Sequence, residues 1–137
     1  MATHVGIGDP HCTPKASNER FLWAGRLAAD VRATHIICMG DFCSMDSLSS
    51  YDKKKKSFEG RRYQKDMEHS HQALSLFNKG LGKHRPRKIM IHGNHEDRID
   101  RFVDDNPELD GTLKISDLKF KQYDNTYKAS LRSKIKD

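Results

Sequence analysis

Polar side chains that can bind metal ions follow three short apolar runs of this sequence. The runs are rich in β-branched residues, are typical of buried strands and cover residues 4–7, 35–39 and 88–91. Asp9 and His11 come directly after the first run, and Asp41 after the second. Asn94 and His95 come directly after the third. If the three runs are parallel strands, all five side chains lie at one edge of the sheet, where the carboxyl ends of the strands meet.

Their residue types predict a site for divalent metal ions. Asp9 and His11 are two residues apart, so both can point to the same side and bind one cation. Asp41 can bridge that cation to a second one, to which Asn94 offers an amide oxygen. Carboxylate, imidazole and amide ligands together suit Mn, Fe, Co, Ni or Zn, and we therefore expect two divalent ions of this class.

Helical patterns separate the three apolar runs. Ser17 or Asn18 is a candidate cap for a first helix, in which we expect both Phe21 and Trp23 to be core residues. A second helix is predicted over residues 63–81 and a third over residues 96–105. Alternation of strand and helix predicts an α/β fold with a mostly parallel sheet and right-handed crossovers.

The chain has 137 residues, which is room for one domain. We assign residues 1–123 to that domain, with a charged insertion at about 46–66, and residues 124–137 to a basic polar tail or an incomplete element. No apolar run approaches the roughly 20 residues that cross a bilayer, and no secretory signal is readable. These features predict a cytoplasmic protein without a membrane partner, and they assign no oligomeric state.

The formal net charge of +6 favours polyanionic partners. The three cysteines have no zinc-finger spacing, and a reduced state is expected for them in a cytoplasmic protein. Positive charge is concentrated between the second apolar run and the second helix. The candidate residues for binding phosphate or a nucleic-acid backbone are Lys53, Lys54, Lys55, Lys56, Arg61 and Arg62.

Three sequence blocks resemble the calcineurin-like metallophosphoesterase superfamily, and the Ser-rich, charged insertion after the second block is similar to that of its phage and bacterial members. The blocks D-x-H, G-D and G-N-H-[DE] of that superfamily match residues 9–11, 40–41 and 93–96, in order. The resemblance covers about the first hundred residues and implies an α/β sandwich with two metal ions. It implies that Asp9 and His11 hold the first metal, that Asp41 bridges both and that Asn94 holds the second.

The same resemblance implies a catalytic His95, which faces the phosphoryl group as an acid or a charge stabiliser. The implied activity is hydrolysis of phosphate monoesters or diesters by a metal-activated hydroxide. If the chain is phage-encoded, its place is the cytoplasm of the host.

Two departures from the family pattern bear on activity. No histidine follows His95, so the later histidine and the G-H-x-H block are absent. We interpret the chain as the N-terminal part of a longer enzyme, while substitution by other groups is the alternative. Ser44 stands where many members carry a second Asp that orients the catalytic histidine, and Asp46 or Glu96 can replace it.

Two functions from different classes follow from these residues. The first is a metal-dependent phosphoesterase that acts on phosphate esters, with nucleic acid favoured by the positive charge. The second is a catalytically inactive, truncated module that binds nucleic acid through its basic residues. His92 is expected to be a hydrogen-bonded core histidine, and His69, His71 and His84 to be polar residues on or beside the second helix.

Overall fold

The computed structural model describes residues 1–128 and shows one four-stranded sheet. Its strands are β1 (His4–Ile7), β2 (His35–Cys38), β3 (Arg87–His92) and β4 (Asn125–Lys128). They lie in the order β1-β2-β3-β4, and every pair is parallel. The predicted α/β class with a parallel sheet is confirmed.

Three helices connect the strands. They are α1 (Glu19–Asp30), α2 (Tyr63–Leu81) and α3 (Arg98–Asp105). The α2 boundaries are those predicted, whereas α3 begins two residues later, because the chain turns once after β3 before the helix starts. The predicted insertion at 46–66 contains two short 3-10 turns, Asp46–Leu48 and Lys56–Phe58, and its last residues belong to the first turn of α2.

The hydrophobic core lies between the sheet and the α1–α2 pair. The sheet contributes the fully buried Ile36, Cys38 and Met90, and α2 contributes Phe77, which is 2 % exposed. The core extends towards the strand ends through Phe42, which follows β2 and packs its ring 5.1 Å from that of Phe21. The loops that carry the candidate site are therefore anchored directly in the core.

The prediction that Trp23 belongs to the core is wrong. Phe21 is 2 % exposed, but Trp23 is 57 % exposed. Helical residues are about 100° apart around the axis, so Trp23 points away from the face that carries Phe21 and Gly25. Gly25 is the buried residue at which α1 crosses α2.

The α1–α2 crossing depends on two glycines that face each other. A Cβ atom on Gly80 would lie 2.9 Å from the Cα of Gly25 and 2.8 Å from the backbone nitrogen of Arg26. Real Cβ atoms do not approach backbone that closely. The crossing therefore excludes every side chain larger than hydrogen at this point.

Replacing Gly80 with alanine is expected to lower the free energy of unfolding by about 1–3 kcal/mol, because the helices must separate to admit the methyl group. Urea unfolding measures the change. Ser75→Ala, at an exposed position of the same helix, is the matched control and should stay within about 0.5 kcal/mol of wild type. Equal stability of the Gly80 variant and the control would contradict this packing.

The fourth strand lies in the segment that the sequence analysis assigned to a polar tail or an incomplete element. Ile89 of β3 pairs with Asn125, and His92 pairs with Lys128. Residues 129–137 of the predicted tail lie outside the described residues. Among residues 1–128, no helix has the length and apolar character needed to span a membrane.

Candidate metal centre

The loops after β1 and β2 continue side by side beyond the sheet. The backbone N–H of His11 donates to the carbonyl of Asp41 (3.0 Å), and that of Cys12 donates to the carbonyl of Phe42 (2.8 Å). Ser44 returns a bond from its N–H to the carbonyl of Cys12 (2.9 Å). These bonds hold the residues after the two strands in a fixed register.

Three of the predicted site residues adopt the left-handed backbone region. The φ angles are 37° at Asp9, 46° at His11 and 49° at Asp41. A non-glycine residue in a sparsely populated region costs about 1–3 kcal/mol, and such residues cluster at functional sites. The bond from the N–H of His11 to the carbonyl of Asp41 joins two of these three residues directly.

His11, Asp41 and His95 form a compact group. One possible ligand atom from each lies within 4.8 Å of the others. His11 Nε2 is 3.8 Å from Asp41 Oδ2, and the rings of His11 and His95 have centroids 4.4 Å apart. Bonds of about 2.0–2.2 Å from zinc to imidazole and carboxylate allow one ion to join His11 and Asp41 at this separation.

Asp41 also fixes the position of His95. Its Oδ1 atom accepts the backbone N–H of His95 at 2.9 Å, which leaves Oδ2 directed to His11. The backbone of Gly93 packs against the same carboxylate, so a larger residue there would displace it. Asp41 is therefore the link between the three strand ends.

Asp9 and Asn94 lie in the loops after β1 and β3, respectively, but neither belongs to the close group of His11, Asp41 and His95. Both are exposed, and the carboxylate of Asp9 is not one of the atoms in the close group. Asn94 accepts a bond from Arg101 at its backbone carbonyl (2.8 Å). The structure thus brings together His11, Asp41 and His95, with Asp9 and Asn94 beside them in the loops after β1 and β3.

The ring of His95 is oriented by a backbone carbonyl. Its Nδ1 atom lies 2.9 Å from the carbonyl oxygen of Ser44. That oxygen can only accept, so Nδ1 carries the proton of this bond, and Nε2 lies 3.4 Å from a terminal nitrogen of Arg98. Burial lowers the pKa of His95, and the nearby Arg98 guanidinium lowers it further, while Asp41 opposes the shift. The orienting partner is Ser44, and neither Asp46 nor Glu96 has this role.

Glu96 binds the loop backbone and does not contact the ring of His95, which the sequence analysis had considered as one of its possible partners. It is fully buried, and its Oε2 atom accepts the backbone N–H groups of Gly93 (2.7 Å) and Asp41 (3.1 Å). Its Oε1 atom accepts the N–H of Cys43 at 2.9 Å. Burial raises the pKa of Glu96, whereas these N–H groups oppose the rise. Glu96 thus joins the loops after β2 and β3 and holds the backbone N–H of Asp41.

The predicted phosphate-binding residues differ in exposure: Arg61 is largely buried, whereas Arg62 and the four lysines are exposed. Arg61 is only 9 % exposed in its side chain, and it donates to Asp52 (2.7 Å) and to the carbonyl of Asp46 (3.1 Å), so it stabilises the insertion. Arg62 donates to the carbonyl of Arg61. The remaining predicted cations, Lys53, Lys54, Lys55 and Lys56, are exposed.

The histidines of α2 and its exit hold backbone carbonyls, as expected for structural residues. His69, His71 and His84 each place Nε2 within 2.9 Å of a carbonyl oxygen.

His92 differs from the prediction of a hydrogen-bonded core residue. Within residues 1–128 its buried Nε2 has no hydrogen-bond partner, and its ring packs on Phe120. Burial lowers its pKa, which favours the neutral ring.

A buried carboxyl on α2, Asp66, predicts a measurable pH effect. Burial raises its pKa above the usual 3.8, although Ser47 donates its N–H to it. The folded protein then holds the proton more tightly than the unfolded chain, so its stability falls as pH rises from 3.8 through the raised pKa. Asp66→Asn removes this dependence.

We therefore compare the difference in melting temperature, variant minus wild type, at two pH values. This difference is expected to be larger near neutral pH, where the wild-type carboxylate is charged and buried, than in mild acid. Thermal unfolding across that range measures it, with Asp30→Asn at an exposed position of α1 as the control. A difference that does not vary with pH would contradict the raised pKa.

Comparisons with protein-family models, with curated proteins and with solved structures found no match to this chain. The comparisons thus leave the family unassigned. The resemblance to the metallophosphoesterases is carried by the three sequence blocks alone.

Proposed function

We propose that this chain is a metal-dependent phosphoesterase with a dinuclear centre, built on the sandwich fold of the calcineurin-like superfamily. The observation that carries the proposal is the group formed by His11, Asp41 and His95, one residue from the loop after each of three adjacent parallel strands. The imidazole of His11 and the carboxylate of Asp41 are donors that fit borderline divalent ions such as Mn, Fe, Co, Ni or Zn, and the imidazole of His95 lies beside them as the proposed acid.

In this proposal four residues are metal ligands and one is the acid. His11, Asp41 and Asp9 would hold the first ion, and Asp41 and Asn94 would hold the second. Bound divalent ions supply Lewis acidity and lower the pKa of water from 15.7 to about 7. His95, fixed by the Ser44 carbonyl, directs Nε2 to the phosphoryl group and stabilises or protonates the leaving oxygen. Burial and the Arg98 guanidinium lower the pKa of His95 in the free protein, whereas the negative charge of a bound phosphate ester would raise it and favour the protonated ring.

The test is hydrolysis of bis(p-nitrophenyl) phosphate and of p-nitrophenyl phosphate with manganese and with a chelator. Turnover is expected only with metal and is expected to be lost in Asp41→Asn. The matched control is Asp30→Asn, an exposed aspartate of α1. Folded wild-type protein that shows no metal-dependent turnover of either ester would refute the proposal.

A second function, nucleic-acid binding without hydrolysis, is favoured by the exposure of the four consecutive lysines 53–56. The two functions respond to different substitutions. Asp41→Asn should leave salt-dependent binding of nucleic acid intact, because it removes no phosphate-binding cation. Neutralising the four lysines should weaken that binding. If the lysine variant binds as wild type does, the second function is excluded.

A further inference from the structure

A cavity of about 330 Å³ adjoins the candidate metal centre. This volume lies within the range of about 300–1,000 Å³ that is usual for small-molecule sites. Residues from the insertion, from the loop after β3 and from α3 line it. Those that matter here are Tyr51, Lys53, Asn94, Arg98, Arg101 and Phe102. Asn94 directly precedes His95, so the cavity opens beside the group that would act on phosphorus.

Two arginines of this cavity are held in place by backbone carbonyls. Arg98 donates to the carbonyl of Ser44 (2.8 Å) and places its other terminal nitrogen 3.4 Å from His95 Nε2. Arg101 donates to the carbonyl of Asn94 at 2.8 Å. A guanidinium that is already oriented loses less freedom when it binds an anion, and its planar shape matches phosphate.

The remaining lining adds positive charge and aromatic surface. Lys53 contributes a third cation, and its ammonium group lies 5.3 Å from the centre of the Phe102 ring. Within the described part of the chain, residues 1–128, Asp105 is the only carboxylate that lines the cavity. Tyr51 lines the cavity and is 84 % exposed, so its ring is accessible to a planar ligand.

We infer that this cavity binds a nucleotide unit, with Tyr51 stacked on the base and with Arg101 and Lys53 on the phosphate. This inference rests on the proposed function and gives it a substrate class, namely phosphodiesters of nucleosides. Stacking of a base on an aromatic side chain contributes about 1–3 kcal/mol, and it is largely independent of the base. Arg98 lies between the cavity and His95 and links nucleotide binding to the reacting phosphoryl group.

The first measurement compares two substrates that share a leaving group, p-nitrophenyl thymidine 5′-monophosphate and bis(p-nitrophenyl) phosphate. The wild-type protein should prefer the nucleoside ester in kcat/KM. In Tyr51→Ala this preference should fall by about fivefold or more, and Tyr51→Phe should restore it. Tyr127→Ala removes another exposed tyrosine, on β4, and should leave the preference unchanged. A preference that is the same in Tyr51→Ala and wild type would overturn the inference.

The second measurement needs no turnover and therefore separates this inference from the proposed function. Binding of fluorescein-labelled (dT)₆ is followed by anisotropy in the presence of a chelator, and unlabelled dTMP or (dT)₆ competes. Displacement by dTMP identifies a mononucleotide as sufficient, and displacement by (dT)₆ alone identifies a strand. Either result, with binding weakened in Tyr51→Ala, supports the site even if no ester is hydrolysed. Absence of saturable binding, or equal binding by Tyr51→Ala, would overturn it.

Discussion

A variant in which His95 is replaced by asparagine is expected to hydrolyse phosphodiesters at least about 100-fold more slowly, while it binds manganese as wild type does. Acid–base groups of this kind contribute about 10²–10⁴ in rate. Asparagine can keep a donor near the position of Nδ1, and so keep the bond to the Ser44 carbonyl, but it offers no atom at the position of Nε2. The substitution thus removes the reacting atom and preserves the loop.

The measurements are steady-state kinetics and titration of manganese by the electron paramagnetic resonance signal of the free ion. His4→Asn, at an exposed position at the start of β1, is the control for loss of a histidine. It should stay within about twofold of wild type in both measurements. If His95→Asn loses manganese affinity together with turnover, His95 is a metal ligand and the role proposed for it is wrong.

Replacing Glu96 with glutamine is expected to lower the metal affinity by about 10–100-fold, although Glu96 is not one of the proposed ligands. Its two oxygen atoms accept three backbone N–H groups, among them that of Asp41. The amide nitrogen of glutamine cannot accept, so at least one buried N–H loses its partner. Each such group costs about 1–3 kcal/mol.

Manganese titration and urea unfolding measure the two effects of this substitution. The manganese affinity and the free energy of unfolding should decrease together, because the same backbone bonds hold the loops and place Asp41. Glu19→Gln, at the exposed start of α1, is the matched control. A Glu96→Gln protein with wild-type manganese affinity would show that the loop positions do not depend on this carboxylate.

Much of the candidate site could be predicted from the sequence because of one geometric rule. Apolar runs with polar residues directly after them locate the strand ends, and parallel strands bring those ends together. His11, Asp41 and His95 meet for this reason, although they are far apart in the chain. The rule predicts at which edge of the sheet a residue lies, but it does not predict the positions of its side-chain atoms. For this reason it did not distinguish Asp9 from the close group.

The features that the sequence did not reveal depend on contacts between distant segments. Glu96 resembles an ordinary acidic residue in the first turn of a helix, and its partners become visible only when the loops after β2 and β3 approach. Trp23 was assigned to the core because it is large and apolar, but Gly25 determines which face of α1 meets α2. β4 is short and mostly polar, and its pairing with β3 defines it.

The candidate metal centre draws on three loops that are separated by long stretches of chain. Asp41 and His95 are 54 positions apart, and a complete helical crossover lies between them. Contacts of such long range form slowly, because closing the intervening chain costs entropy before any contact compensates for it. The proposed ligands come from all three loops, so the two ions can be held only after both crossovers have closed. Added metal is therefore expected to slow unfolding and to leave the rate of folding almost unchanged.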